Sequence, residues 1–230
     1  SGSNRARFFQ IRGIGERSQF VNPVNPSVGV LIDDVDFSGA GTIATLMDVQ
    51  QVEVLRGPQG TRYGANALAG LINFSTNEPD EAFFTSVKLS GGEFGTQTAG
   101  VVLNVPISET FLSRFVFESH QSDGYVENDF HDSKTTNDRD ELTSRAKFSW
   151  QVKKNWSLNL SLALIDIDNG YDAFSLDNNR HTLSDEPGFD RQKSAYVSLK
   201  SSWQLDGMNI DVLWNRSDSD LDYGYDEDWS

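Results

Sequence analysis

Trp156-Ser157-Leu158-Asn159-Leu160-Ser161-Leu162-Ala163-Leu164 is the stretch on which the fold turns. Trp156, Leu158, Leu160, Leu162 and Leu164 share one face, with Ser157, Asn159 and Ser161 opposite. A period of two marks a β-strand with two different faces, because successive Cβ atoms point to opposite sides. Lys153-Lys154-Asn155 precedes it as a tight turn. Before that turn the same rhythm recurs: Leu142, Ala146, Phe148, Trp150 and Val152 oppose Thr143, Arg145, Lys147, Ser149 and Gln151. Downstream, Ala195, Val197, Leu199, Trp203 and Leu205 oppose Ser198, Lys200, Ser202 and Gln204. After Asp206-Gly207, Ile210, Val212 and Trp214 oppose Asn209, Asp211 and Asn215. Segments near 83–91, 97–105 and 111–120 repeat the pattern less cleanly. The result is about seven strands of roughly ten residues, the length that crosses a bilayer when tilted.

The connections alternate in length. Val105-Pro106-Ile107-Ser108-Glu109, Lys153-Lys154-Asn155 and Asp206-Gly207 read as tight turns, whereas 122–140, 166–190 and 217–230 are long, polar and acidic. Short turns on one side and long loops on the other describe an outer-membrane barrel. Trp150, Trp156 and Trp203 all flank the short turns, as an interfacial aromatic girdle on the periplasmic side would. A soluble antiparallel sandwich also alternates, so alternation alone does not separate the two architectures.

Charge divides the chain. The net charge is −15, which argues against nucleic acid as a partner. Residues 1–79 are near neutral, with 6 Lys+Arg and 7 Asp+Glu; the remainder holds 13 and 27, so the break falls near Glu78-Pro79-Asp80. The absence of cysteine excludes disulfides, thiolate metal sites and cysteine nucleophiles. No stretch resembles a signal peptide and no apolar run is long enough for a membrane helix. The abrupt opening Ser1-Gly2-Ser3-Asn4-Arg5, without methionine, reads as an internal start.

No catalytic constellation emerges, and no enzyme activity, cofactor or metal is expected. His120, His131 and His181 are scattered, and neither GxSxG nor HExxH occurs. Asp218-Ser219-Asp220-Leu221-Asp222-Tyr223-Gly224 approximates a calcium loop, but its glycine is one position late and Trp229 stands where glutamate should close it. A solvated acidic loop is the default reading there, and equally for Asp166, Asp168 and Asp172.

Residues before 80 follow another pattern. Phe8-Phe9-Gln10-Ile11-Arg12-Gly13-Ile14-Gly15 reads as a strand closing in a glycine turn, and Val28-Gly29-Val30-Leu31-Ile32 as a strand ended by Asp33-Asp34. Residues 43–48 suit one or two helical turns. Val52-Glu53-Val54-Leu55 is broken at once by Arg56-Gly57-Pro58-Gln59-Gly60, and Leu71-Ile72-Asn73-Phe74 ends before Pro79. Short strands punctuated by Gly and Pro imply a small α+β unit. Gly57, Gly60, Gly64 and Gly70 permit tight turns and close backbone approach, and Pro58 fixes the turn after its strand.

The run Asp48-Val49-Gln50-Gln51-Val52-Glu53-Val54-Leu55-Arg56-Gly57-Pro58-Gln59-Gly60-Thr61-Arg62-Tyr63-Gly64 closely resembles the plug-domain signature of TonB-dependent receptors. Ala65-Asn66-Ala67-Leu68-Ala69-Gly70-Leu71-Ile72-Asn73-Phe74-Ser75-Thr76-Asn77-Glu78-Pro79 resembles the end of such plugs. Ile11-Arg12-Gly13-Ile14-Gly15 and Pro26-Ser27-Val28-Gly29-Val30-Leu31-Ile32-Asp33-Asp34-Val35 fit two further plug motifs in order.

The resemblance implies a mostly β chain: a small α+β plug over 1–79, lacking its start, then over 80–230 the first antiparallel strands of an incomplete transmembrane β-barrel. It implies residence in the outer membrane of a Gram-negative bacterium, among outer-membrane lipid and lipopolysaccharide. The implied function is energised uptake of a scarce ligand, most often a ferric siderophore, with oligosaccharide or cobalamin as the rivals. TonB and its inner-membrane complex would supply the energy. A rival of another class is a soluble secreted β-sandwich that binds carbohydrate. By the resemblance, Arg12, Glu53 and Arg56 are plug–barrel contacts; alternatively each arginine satisfies carbonyls within the plug. Loop 16–26, with Arg17, Gln19, Phe20 and Asn22, is the candidate ligand contact. Plugged barrels of this class need 22 strands, and an open set leaves edges that a bilayer does not tolerate, so these strands alone are not expected to transport.

Overall fold

The computed structural model describes residues 8–16, 25–40, 45–63 (backbone only at 62 and 63), 66–172, 175, 177 and 179–228. The N-terminal unit begins with a miniature hairpin, β1 (Gln10–Ile11) and β2 (Ile14–Gly15). Its two turn residues, Arg12 and Gly13, have φ of 54° and 77°, as a type I′ turn requires. A second hairpin follows, β3 (Val28–Ile32) and β4 (Val35–Asp36), turning at Asp33 and Asp34 with φ of 48° and 66°. Then come β5 (Val49–Arg56), one helical turn α1 (Gly60–Tyr63) and β6 (Gly70–Thr76). The sheet order is β4-β3-β6-β5, with β3 and β6 parallel and the other pairs antiparallel. Central β3 is buried at all five positions.

The expected glycine roles divide. Gly57 takes φ of 94° and turns the chain out of β5. Gly70 lets strands approach: a Cβ there would stand 2.5 Å from both Ile11 Cδ1 and the Leu55 carbonyl oxygen. Gly60 meets neither demand, and Gly64 lies outside the described residues. The described part of the expected helical turn at 43–48, residues 45–48, is instead a non-helical turn.

The second unit is a curtain of strands: β7 (Phe84–Gly91), β8 (Gln97–Ser108), β9 (Phe111–Ser122), β11 (Arg139–Lys153), β12 (Trp156–Gly170), β14 (Phe189–Leu205) and β15 (Met208–Gly224). They form one seven-stranded antiparallel meander in chain order, with β7 and β15 as unpaired edges. Two short strands outside it, β10 (Glu127–Asn128) and β13 (His181–Thr182), pair parallel and tie two long loops together.

Register fixes the faces. Trp150↔Leu158, Phe148↔Leu160, Ala146↔Leu162 and Ser144↔Leu164 put the leucines on one wall with Leu199, Val197 and Ala195. That wall is uncovered: Leu164 is 63% exposed and Trp214 55%. A sandwich would bury this face under a second sheet, so the single apolar-faced layer removes the soluble-sandwich reading. Phe111, Trp150, Trp156 and Trp203 gather beside the short turns, with Trp156 and Trp203 stacked at 6.2 Å. The rings thus share one level, as the expected girdle requires.

Strand lengths depart from expectation. β11, β12, β14 and β15 run 15–17 residues, so 217–224, read as loop, continues β15. The calcium-loop resemblance fails with it, because Asp218, Asp220 and Asp222 line one side of a ladder paired with Ala195, Lys193 and Arg191. Among the described residues no cluster of His, Asp and Glu could hold a metal ion. Likewise 105–108 is strand, and only Glu109 and Thr110 separate β8 from β9.

Candidate functional site

The N-terminal unit packs on the inner face of the curtain, opposite the leucine wall. Val30, Ile32, Val35, Phe37 and Phe74 form one buried cluster with Ala163, Ile165, Ile167 and Tyr196. Phe37 and Tyr196 meet edge to face at 5.7 Å. Strand β12 is apolar on both faces because its phase shifts: Leu158 to Leu164 occupy even positions facing out, Ile165 and Ile167 odd positions facing in. Burying side chains of this size stabilises by about 1.5–3 kcal/mol each, an upper estimate against an extended unfolded chain.

Beside this seal the wall supplies cations and the N-terminal unit supplies carboxylates. Arg114 on β9 and Lys147 on β11 stand directly opposite each other in the ladder, with Arg145 one step along the same face. Like charges directly opposite destabilise a sheet, so this arrangement requires counter-charges. Asp48 provides one, accepting from Arg114 Nε at 2.8 Å and Nη2 at 2.5 Å. That fork is nearly dry, with side chains 10% and 6% exposed. Lys147 Nζ takes two more, Asp33 at 3.1 Å and Glu78 at 2.7 Å. Arg145 donates to the Met47 carbonyl. Among the described residues its Nε and Nη1 are buried without a partner, a cost of about 1–3 kcal/mol or more each for charged donors.

Local sequence explains why the carboxylates project. Asp33 and Asp48 both sit at turn tips with positive φ, 48° and 61°, a conformation that Asp tolerates better than most residues. Asp33 also accepts from Thr76 N at 2.9 Å, Thr76 Oγ1 at 2.7 Å and the Tyr196 hydroxyl at 3.2 Å. It therefore joins the hairpin tip to β6, β11 and β14 at once. Asp48 is oriented by Asn77 Nδ2 at 2.9 Å. Gly100 of β8 lies beneath the turn at 45–48 and leaves room for the Met47 side chain, whose Sδ would stand 2.6 Å from a Cβ there. Asn104, fully buried, clamps the passage from one unit to the next by accepting from Asp80 N and donating to the carbonyls of Asp80 and Ala82.

The long loops hold a second polar knot. Buried Asp172 accepts from Asn128 Nδ2 at 3.1 Å, Gly188 N at 3.1 Å and the Thr136 hydroxyl. Asn128 donates further to the Ser184 carbonyl at 2.8 Å. At the tip, His181 Nδ1 lies 3.1 Å from Asp129, and this hydrogen bond, with the carboxylate's charge, raises its pKa above the ordinary histidine value.

The expected site residues fare differently. Arg12 and Arg56 are exposed and, among the described residues, lie within ion-pair distance of no carboxylate. Glu53 accepts from Gln51 and Asn73 inside its own sheet. Arg17, Gln19, Phe20 and Asn22 lie outside the described residues. Sequence reasoning missed Asp33, Asp48, Arg114, Arg145, Lys147 and Tyr196. The available signal was two cations on the inward phase of β11, Arg145 and Lys147, facing turn-tip aspartates.

Residues 1–71 match the model of the TonB-dependent Receptor Plug Domain. The pesticin receptor of Yersinia pestis is 42% identical over 80 residues, 35% of this chain and 11% of that protein. The ferric enterobactin receptor PirA of Pseudomonas aeruginosa is 26% identical over 172 residues, 66% of this chain and 23% of that one. The solved ferric yersiniabactin uptake receptor FyuA of Yersinia pestis superposes with a TM-score of 0.71 at 23% identity, covering 86% of this chain and 33% of that one. The chain thus spans about a tenth to a third of the proteins it matches.

Proposed function

We propose that the chain carries the plug domain and the opening barrel strands of a TonB-dependent receptor of the Gram-negative outer membrane, and that the receptor serves energised uptake of a ferric siderophore. The observation that carries this reading is the docked interface. A small glycine-punctuated sheet is held by a dry Arg114–Asp48 fork and an apolar seal against the inner face of strands whose outer face suits lipid. Residues 1–79 act as plug and 80–230 as the opening strands of the barrel. The free edges of β7 and β15 require further strands, because hydrocarbon leaves unpaired backbone groups unsatisfied.

The short turns face the periplasm, where TonB acts, and the long loops face outward among lipopolysaccharide. Loop 16–26, with Arg17, Gln19, Phe20 and Asn22, meets the ligand from the plug side. Arg12, Glu53 and Arg56 meet carboxylates or amides of strands beyond β15. The names of the similar receptors favour ferric siderophores as the ligand class.

A deletion strain tests this. Under iron limitation it should lose TonB-dependent uptake of radioactive iron from one ferric siderophore, and regain it with the native gene. Retention of uptake from every ferric siderophore tried, with loss of cobalamin or oligosaccharide uptake, would move the assignment to that ligand.

A further inference from the structure

Below the apolar seal, on the side of the short turns, the plug and wall meet through polar contacts, the Lys147 ammonium with Asp33 and Glu78 and the Asn215 amide with the Asp34 carbonyl. Between them lies a polar, partly open cavity of about 410 Å³. The wall contributes Lys147, Ser161, Ser198 and Lys200, and the plug contributes Asp33 and Glu78 among others. Register places Lys147, Ser161 and Ser198 in one row, immediately beneath the row of Arg145, Ala163 and Tyr196 that belongs to the seal. Lys147 is therefore the first polar rung under the hydrophobic contact. It is 5% exposed, and its ammonium spans from Asp33 at the hairpin tip to Glu78 at the end of the plug. Asp33 also accepts from Tyr196 within the seal. Movement of the rung and movement of the seal are thus coupled through one carboxylate.

We infer that this cavity is a preformed periplasmic vestibule of the solute route, and that Lys147, held between Asp33 and Glu78, is the gate that keeps it closed from above. A hydroxyl- and ammonium-lined space suits a hydrophilic, hydrogen-bonding solute. Serines line it where the strands above carry Ile165 and Ile167, so wetting stops at the seal. Loss of the rung leaves Asp33 its hydrogen bonds from Thr76 and Tyr196 but removes the cation that offsets its buried charge, which weakens the hold of the hairpin tip on the wall. The hairpin tip then leaves the wall and the vestibule joins the outer side. The inference rests on the receptor reading above.

The chain contains no cysteine, so a single introduced thiol reports alone within it. In the native receptor, Lys200→Cys, at an exposed position lining the cavity, should react with a membrane-impermeant maleimide offered from the periplasm of spheroplasts, and stay silent when the reagent is offered to intact cells. Adding Lys147→Met should raise labelling of intact cells by about tenfold or more, the response to a shift of one decade in the closed–open equilibrium. If Lys147→Met does not assemble, Glu78→Gln removes only the exposed partner and should give a smaller rise in the same direction. No periplasmic labelling at rest, or surface labelling unchanged in the assembled variant, overturns the gate. The assay needs no ligand and no energiser. A receptor that imports something other than siderophore but labels as described keeps the gate; siderophore uptake with inert thiols loses the gate alone.

Discussion

Replacing Arg114 by methionine should release the plug turn at 45–48 from the wall while leaving the barrel ladder intact. The guanidinium makes two hydrogen bonds to Asp48, at 2.8 and 2.5 Å, from side chains only 10% and 6% exposed. Solvent screening is therefore slight. Removing one partner of a buried pair costs about 3–5 kcal/mol, chiefly because the remaining charge stays buried. Asn77 still donates to Asp48 at 2.9 Å, which points to the lower end. A cost of about 3 kcal/mol corresponds to roughly a hundredfold in an opening equilibrium. Hydrogen exchange read by mass spectrometry on the intact receptor should show backbone amides around 45–52 exchanging about a hundredfold faster, with β11 and β12 unchanged. Asp48→Asn should do the same, and the double variant should cost much less than the sum. Protection at 45–52 within threefold of the native value, or strictly additive costs, would refute the view that this fork docks the turn.

Three further outcomes follow from other parts of the molecule. Asp172→Ala strips acceptors from Asn128, Gly188 and Thr136, at about 1–3 kcal/mol per stranded donor, so exchange in 124–137 and 184–188 should accelerate while plug peptides stay protected. His181 should titrate above the ordinary histidine midpoint by NMR and return toward it in Asp129→Asn. Because its folded pKa is raised, this tie between loops is fully present below about pH 6.5 and fades as pH rises through the folded value; added salt should weaken it, both groups being exposed. Leu162→Arg, on the lipid-facing wall, should lower refolding stability in vesicles by about 2–4 kcal/mol, whereas Asn159→Arg, facing the lumen, should not; equal effects would reverse the assignment of faces.

The outer wall was legible in the sequence because lipid imposes a strict period of two, and residues 142–164 and 195–214 obey it. The extra strand length was not. Above the apolar band, Asp218, Asp220 and Asp222 take the outer positions of 217–224, and Leu221 and Tyr223 alone among polar residues mark no ladder, so the stretch passes for a loop. The inner seal was half visible: the switch from even Leu158–164 to odd Ile165 and Ile167 marks where the apolar face changes from lipid to plug. The ion pairs were invisible. Arg114 meets Asp48 across 66 residues and Lys147 meets Glu78 across 69, and pairing over such distances depends on how a sheet curves around its contents. Arg12 and Arg56 are conspicuous through their motifs, and among the described residues neither lies within ion-pair distance of a carboxylate.

The overlong strands have a mechanical consequence. Strand β12 continues six residues past Leu164, and β15 ten past Trp214, which at roughly 3.3 Å per residue and a tilt near 45° lifts the loop bases by about 14–23 Å above the acyl chains. The knot around Asp172 therefore rides on a stiff hydrogen-bonded palisade, clear of the apolar band, and motion in the loops is separated from the lipid by several rungs of ladder.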